Sequence, residues 1–249
     1  MQLVLWNKER NCLYSEVHSE RGYFMQKVLS MNTYRAYTFS YRAFLVFKRF
    51  FDIVVSLSAL VVLMPFLVLV AIAVAIDTKA FPIFIQTRMG RNNKPFRILK
   101  FRTMSKSAPA DVATRELRES DKYISRFGSF LRRTSIDELP QLVNILVGHM
   151  SFVGPRPVVL TETDLIELRT RNGACSVRPG LTGLAQTSGR DKLSVQEKAK
   201  MDAFYANNLC LSLDLRVLIA SVGYVLSSRD IQEGSAFHEE QKLKKERSA

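Results

Sequence analysis

The sequence is short of cysteine: Cys12, Cys175 and Cys210 are all it holds in 249 residues. Their odd number and lack of metal-like spacing exclude a disulfide framework and fit free thiols in a reducing compartment. Acids are scarce too, with 23 Asp and Glu against 36 Lys and Arg, a formal charge of +13 and a pI near 9.9. That imbalance points to an anionic partner among lipid headgroups, nucleotides, phosphorylated substrates or nucleic acid. There are no internal repeats. The one long apolar run starts some fifty residues in, which is the wrong place for a cleaved signal peptide and suits an uncleaved anchor.

Residues 53–76 carry no charge at all, and Ser56 and Ser58 are their only polar side chains. As a helix the run reaches about 36 Å at about 1.5 Å per residue. A hydrocarbon core is about 30 Å thick. Surface helices of soluble proteins keep a polar stripe, so this is a membrane segment. Pro65 sits near its midpoint and removes a backbone donor. Arg42, Lys48 and Arg49 precede the run, and Lys79, Arg88 and Arg91 follow it. A spanning helix should collect cations on one flank. A kinked helix that enters and leaves on one face explains both features, and a full span with a tolerated proline remains open beside it.

Residues 1–40 show no clear period, whereas residues 34–51 interleave Tyr and Phe with Arg and Lys, as an interfacial lead-in does. Beyond Asp77, residues 82–89 and 95–102 read as two strands joined through GRNNK. Residues 105–122 are polar and suit a mobile loop with a helical turn, and YISRFGSFLRR could lie at a headgroup surface. The spacing of Leu139, Leu142, Val143 and Leu146 predicts a helix over 135–147, with Asp137, Gln141 and Asn144 on its polar stripe. A rigid Gly-Pro-Arg-Pro turn follows at 154–157. Further helices are expected at about 161–171, 194–207 and 214–227, the last resting on a membrane or on the core, with a glycine-punctuated loop over 178–190. The tail, residues 234–249, is charged and has the composition of a disordered segment.

Asp137 and Glu138 are the first candidates for chemistry. Ser135 and Glu138 also read as a capping box, with acids favoured in a first turn. Carboxylates equally bind Mg²⁺ or act as nucleophiles, provided phosphate-binding cations converge on them. Arg156, stiffened between Pro155 and Pro157, suits bidentate phosphate recognition. Lys100, Arg102, Arg132, Arg133, Arg178 and Arg190 lie at element ends or in loops. Gly180 and Gly183 would permit a close backbone approach.

These pieces together resemble the bacterial sugar transferases, small monotopic phosphoglycosyl transferases acting on polyprenyl phosphate. KRFFD before the anchor, RMGRNNKPFRILKFRTM, FGSFLRRTSIDELPQLVNILVGHMSFVGPRP, RPGLTGLAQTSGR and YANNLCLSLDLRVLI carry the likeness, in order, over residues 48–229. The resemblance implies a mixed α/β, mainly helical fold: a monotopic membrane protein with a kinked re-entrant helix and a compact cytoplasmic catalytic domain containing a small β-hairpin. It divides the chain into an arm (1–40), an interfacial segment with the re-entrant helix (41–77), a catalytic domain (78–233) and a tail (234–249). The implied reaction moves a sugar-1-phosphate, with glucose or galactose expected, from a UDP-sugar to undecaprenyl phosphate and releases UMP. It starts exopolysaccharide or other glycoconjugate synthesis at the bacterial inner membrane.

By the same resemblance Asp137 is the nucleophile of a covalent aspartyl intermediate, and Glu138 joins it in holding Mg²⁺. Arg156, Arg102, Lys100, Arg133 and Arg178 are assigned to phosphate or nucleotide. The implied partners are UDP-sugar, polyprenyl phosphate and inner-membrane lipid, with no nucleic acid, and a homo-oligomer is left open. The family breaks its anchor at a Ser-Pro pair. Here Met64 precedes Pro65, so the break is kept by the proline alone. A non-catalytic, membrane-tethered binder of polyanions would explain the charge and the anchor but not the IDELPQ, GPRP and RPGLTG motifs.

Overall fold

A computed structural model describes residues 41–108, 123–189 and 193–227. The expectations for the arm over 1–40, most of the polar loop (109–122), Arg190 and the charged tail lie outside the described residues.

The apolar run belongs to one helix, α1 (Tyr41–Thr78), with Pro65 inside it. Over Ala43–Thr78 it is long and apolar enough to cross a membrane. The chain is helical on both sides of Pro65. Pro65 faces outward, while Leu63 and Leu67 on either side of it pack inward, so both halves of the helix are held by the same body.

That inward face is a continuous stripe at helical spacing. Phe44, Asp52, Ser56, Val70 and Val74 are buried along it. Ala59, Leu60 and Leu63 pack on Phe96, Ile98, Leu142, Ile145 and Met150, and Leu67 and Ala71 join Val70, Val74, Phe101 and Leu131. The opposite face shows Val54, Leu57, Val61, Leu69, Ile72 and Ile76 to the surroundings. Helix α1 therefore supplies part of two core clusters of the domain while keeping an apolar outer face.

The expected hairpin forms from β1 (Ile83–Met89) and β2 (Pro95–Phe101), antiparallel with Ile83 opposite Phe101 and Met89 opposite Pro95. Its connection needs left-handed backbone at Asn92 and Asn93 (φ 54° and 57°), which asparagine tolerates better than most residues. Next comes α2 (Arg126–Arg133), capped by Ser125, whose Oγ accepts from the Gly128 amide. The same hydroxyl donates to Asp77 near the end of α1.

The helix expected over 135–147 is in fact split into a 3₁₀ turn (Ile136–Glu138) and α3 (Gln141–Val147). Ser135 is left-handed (φ 57°) and its side chain caps nothing, so the capping box does not form there. The box appears instead at Ser194 and Glu197, opening α6 (Val195–Asn207). The polar stripe also faces inward. Asp137, Gln141 and Asn144 are buried together with Leu142 and Ile145, and Val143 is exposed. Asn144 explains part of this arrangement. Its Oδ1 accepts from the Leu99 amide and its Nδ2 donates to the Arg97 carbonyl, so one side chain completes the open edge of β2.

The second sheet is a parallel pair, β3 (Ser151–Val153) and β4 (Gly180–Thr182), with Ser151 beside Gly180 and Val153 beside Thr182. Helix α4 (Thr163–Arg171) lies in the crossover between them. The short α5 (Leu184–Thr187), then α6 and α7 (Leu211–Ser227) complete the described chain. The glycines of the 178–190 loop do permit close approach, but to backbone. A Cβ on Gly180 would stand 2.1 Å from the Gly154 nitrogen, and one on Gly183 would stand 2.1 Å from the Gly154 oxygen.

Candidate active site

The 3₁₀ turn places Asp137 and Glu138 beside the end of β2. Lys100 Nζ lies 2.8 Å from Glu138 Oε1, and Arg156 Nη2 reaches the same oxygen at 3.3 Å. Arg132, at the end of α2, donates through Nε to Thr103 Oγ1 and lies close enough to act on Asp137. Four elements thus converge: β2, α2, the acidic turn and the Gly-Pro-Arg-Pro turn.

Burial dominates the electrostatics of this cluster. It pushes the Asp137 carboxyl up to about 6, with Lys100 pulling it down, Glu138 pushing it up, and Arg132 and Arg156 pulling it down further. Burial likewise lowers Lys100, with Glu138 opposing that shift. A pKa near 6 leaves Asp137 on the ionised side of neutral pH. Among the described residues its carboxylate forms no hydrogen bond. The result is a largely buried anion held close to cations, with no hydrogen-bond donor among the described residues.

The segment that carries Arg156 is fixed from many sides. Pro155 and Pro157 have no amide to donate, so the turn is held through its carbonyls. The Gly180 amide donates to the Pro155 oxygen at 2.9 Å, and the Met89 amide donates to the Val158 oxygen at 2.8 Å. Arg169 Nη1 donates to the Arg156 oxygen at 2.9 Å, Arg88 Nη1 to Pro157 at 3.4 Å, and Tyr205 Oη to Val153 at 2.9 Å.

Of the cations expected at the site, Lys100 and Arg156 are there. Arg102 leaves the end of β2 in another direction: its Nε donates to the Phe81 carbonyl and its guanidinium lies 5.8 Å from the centre of the Phe84 ring. Arg133 is exposed at the end of α2. Arg178 donates to the Gly148 carbonyl at the C-terminal end of α3, where Arg49 also binds the Ile145 and Leu146 carbonyls at 2.7 Å each. Both guanidiniums serve the negative end of that helix, and burial together with Arg49 and Arg91 lowers the Arg178 pKa.

KRFFD proves to be a docking motif. Lys48 pairs with Asp214 of α7, Arg49 caps α3, and Asp52 accepts from Ser151 Oγ and the Phe152 amide at 3.1 Å each. Sequence reasoning had this motif in view but assigned it no partners. Arg169 and Asp202 it did not single out, because each is an ordinary charge within a helical pattern.

Residues 43–228 match the bacterial sugar transferase family. An exopolysaccharide production protein, PSS, of Rhizobium leguminosarum bv. phaseoli is 40% identical over 191 residues, covering 72% of this chain and 94% of that protein. ExoY, an exopolysaccharide production protein of Sinorhizobium fredii, is 39% identical over 197 residues, covering 73% of this chain and 86% of its own length. The UDP-glucose:undecaprenyl-phosphate glucose-1-phosphate transferase of Escherichia coli is 37% identical over 187 residues, covering 70% of this chain. Of that longer protein, this chain spans 39%. The match takes in α1, the hairpin, the acidic turn and the Gly-Pro-Arg-Pro turn together, and the chain belongs to the bacterial sugar transferase family.

Proposed function

We propose that this protein transfers a sugar-1-phosphate from a UDP-sugar to polyprenyl phosphate, through Asp137 as nucleophile. The observation that carries the reading is the Asp137 carboxylate itself: buried beside Lys100, Arg132 and Arg156, and without a hydrogen bond among the described residues. The names of the relatives favour the same substrates. One, from Erwinia amylovora, is a UDP-galactose-lipid carrier transferase, and those of Klebsiella pneumoniae and Escherichia coli transfer glucose-1-phosphate from UDP-glucose to undecaprenyl phosphate.

In the first step an Asp137 oxygen bonds to the β-phosphorus of the UDP-sugar. The bond from that phosphorus to the bridging oxygen breaks, and UMP leaves with the electron pair. In the second step an oxygen of the lipid phosphate attacks the same phosphorus and the Asp137 carboxylate is released. Lys100, Arg132 and Arg156 oppose the negative charge that accumulates on the phosphoryl oxygens, so positioning and electrostatics do most of the work. Glu138, held between Lys100 and Arg156, keeps these two cations beside the reacting phosphorus.

Mg²⁺ fits this site as a shared ligand. Among the described residues no group of three or more His, Cys, Asp or Glu side chains could hold a metal alone. Mg²⁺ ordinarily takes one or two carboxylates with the rest from water and substrate phosphate. Asp137 and Glu138 would be those carboxylates, and the ion would supply charge neutralisation at the diphosphate.

The membrane reading is monotopic, with the domain on the cytoplasmic face of the bacterial inner membrane. Its support is the one-sided packing of α1. A helix bound to the domain along its length cannot stand across a bilayer without carrying its partners, polar site included, into hydrocarbon. Cations on both flanks of the run favour one cytoplasmic side.

The deciding experiment uses the full chain in lipid nanodiscs with undecaprenyl phosphate and a panel of UDP-sugars. UMP release with at least one sugar, and label from the β-phosphate trapped on Asp137 when lipid is withheld, is the expected result. Label trapped on Asp137→Asn, or unchanged transfer by it, would remove the nucleophile. For topology, cysteines placed at Arg42 and Lys94 in a cysteine-free background should both be protected from an impermeant reagent outside the cell.

A further inference from the structure

We infer that Arg169 and Asp202 are positioning residues for Arg156, an inference that rests on the transfer reaction proposed above. Asp202 lies on α6 and is 1% exposed, and Arg169 on α4 faces it with an 11% exposed side chain. Arg169 uses Nε and Nη2 on Asp202 Oδ2, at 2.9 and 2.6 Å, and Nη1 on the Arg156 carbonyl at 2.9 Å. The chain of contacts runs from α6 through the guanidinium fork to the backbone of Arg156, and from the Arg156 side chain to Glu138 at 3.3 Å.

An ion pair this deep is a poor way to gain stability, since well-packed apolar residues of similar volume often do as well or better. What an apolar pair cannot do is donate to a carbonyl. Residue 156 stands between two prolines and needs its carbonyl held from outside, and the third nitrogen of Arg169 does this. Asp202 keeps the fork in plane and oriented, so that Nη1 points at the turn rather than at solvent. Neither residue touches the acidic pair, so both act through Arg156.

The test is a mutational cycle on the full chain in nanodiscs. Arg169→Met combined with Asp202→Leu replaces the pair with packed apolar side chains, and Arg169→Lys keeps the charge but loses the fork. With Arg156 intact, the apolar double variant should still unfold cooperatively, within a few degrees of the wild type despite the Arg156 carbonyl it leaves unpaired, while kcat/KM for UMP release falls roughly tenfold or more, the scale on which misplaced site groups act. Arg169→Lys should recover little of that loss. In an Arg156→Ala background the same double substitution should cost less than about twofold, because the effect runs through a side chain already removed.

Two results would overturn the inference: activity within twofold of wild type in the double variant, or a loss that multiplies unchanged on Arg156→Ala. Should the wild-type chain turn over no UDP-sugar, the functional reading fails by itself. The cycle is then read by calorimetric binding of UDP, where the double variant should weaken affinity as much as Arg156→Ala does and the two losses should not add. UDP affinity untouched by the double variant would sink the inference on its own.

Discussion

Four aspartates are buried among the described residues, and their surroundings divide them three to one. Asp52 accepts from Ser151 and the Phe152 amide, Asp202 from Arg169, and Asp214 from Lys48 and Tyr205. Each of these ties together elements distant in sequence: α1 to β3, α6 to α4, and α7 to α1. Asp137 is as buried as Asp214, 8% against 7% exposed, yet no donor satisfies it. Depth therefore does not set Asp137, the proposed nucleophile, apart from the other three. The complement of donors does, because a carboxylate with filled lone pairs is fixed and a desolvated, unfilled one is available to react.

The sharpest way to break that division is to neutralise each side of it. Asp137→Asn should lower the rate of UMP release by about a thousandfold or more, as expected for loss of a group used in bond making. Its thermal unfolding temperature should equal or exceed that of the wild type, since a buried charge has been removed. A variant that unfolded early instead would place Asp137 with the structural three.

Asp214→Ala should do the reverse. It strands Lys48 at a buried junction, while the Tyr205 hydroxyl keeps the Val153 carbonyl, and losing one partner of such an ion pair costs about 3 kcal/mol. Denaturant unfolding in detergent should show that loss. The folded fraction should retain kcat within a few fold, and a collapse of kcat at full folding would refute the structural assignment.

The cations can be divided in the same way. Arg156→Ala should reduce kcat/KM for UDP-sugar by about tenfold or more, equivalent to about 1.4 kcal/mol or more of lost stabilisation. Arg102→Ala should change it by less than about threefold, because that guanidinium is engaged by Phe81 and Phe84 rather than by the acidic pair. Equal losses in steady-state kinetics would place Arg102 at the site after all.

On stability, a smaller effect than that of Asp214→Ala is expected at Asn144, which closes the edge of β2. Asn144→Ala leaves the Leu99 amide and the Arg97 carbonyl unpaired, costing about 1–3 kcal/mol. Hydrogen exchange should show the Leu99 amide losing protection while β1 retains its own.

The hairpin was legible because two short apolar runs flank a turn-forming GRNNK, and local chemistry decides such an element. The apolar run was legible because nothing but an apolar environment suits residues 53–76. The acidic pair, Lys100 and Arg156 were visible through their motifs. What the residue pattern did not show was the division of the 135–147 stretch and the inward direction of its polar stripe. Periodicity records which residues share a helix face, and a face lined by Asp137, Gln141 and Asn144 looks solvent-directed until its partners are known. Those partners are the edge of β2 and the cations gathered around Asp137, and they arrive from distant parts of the chain.

The sequence by itself determined that this protein holds an apolar anchor, a hairpin, an acidic pair and a stiff arginine turn, because each depends on neighbours within a few residues. Only the tertiary structure decided that α1 lends one face to the domain through KRFFD and the stripe behind it. The same holds for Arg102 and Arg178 leaving the acidic pair to Lys100, Arg132 and Arg156, and for Asp137 alone of the buried aspartates going without a donor among the described residues. Those outcomes depend on which distant groups reach one another once the chain is packed, and neither spacing nor composition carries that information.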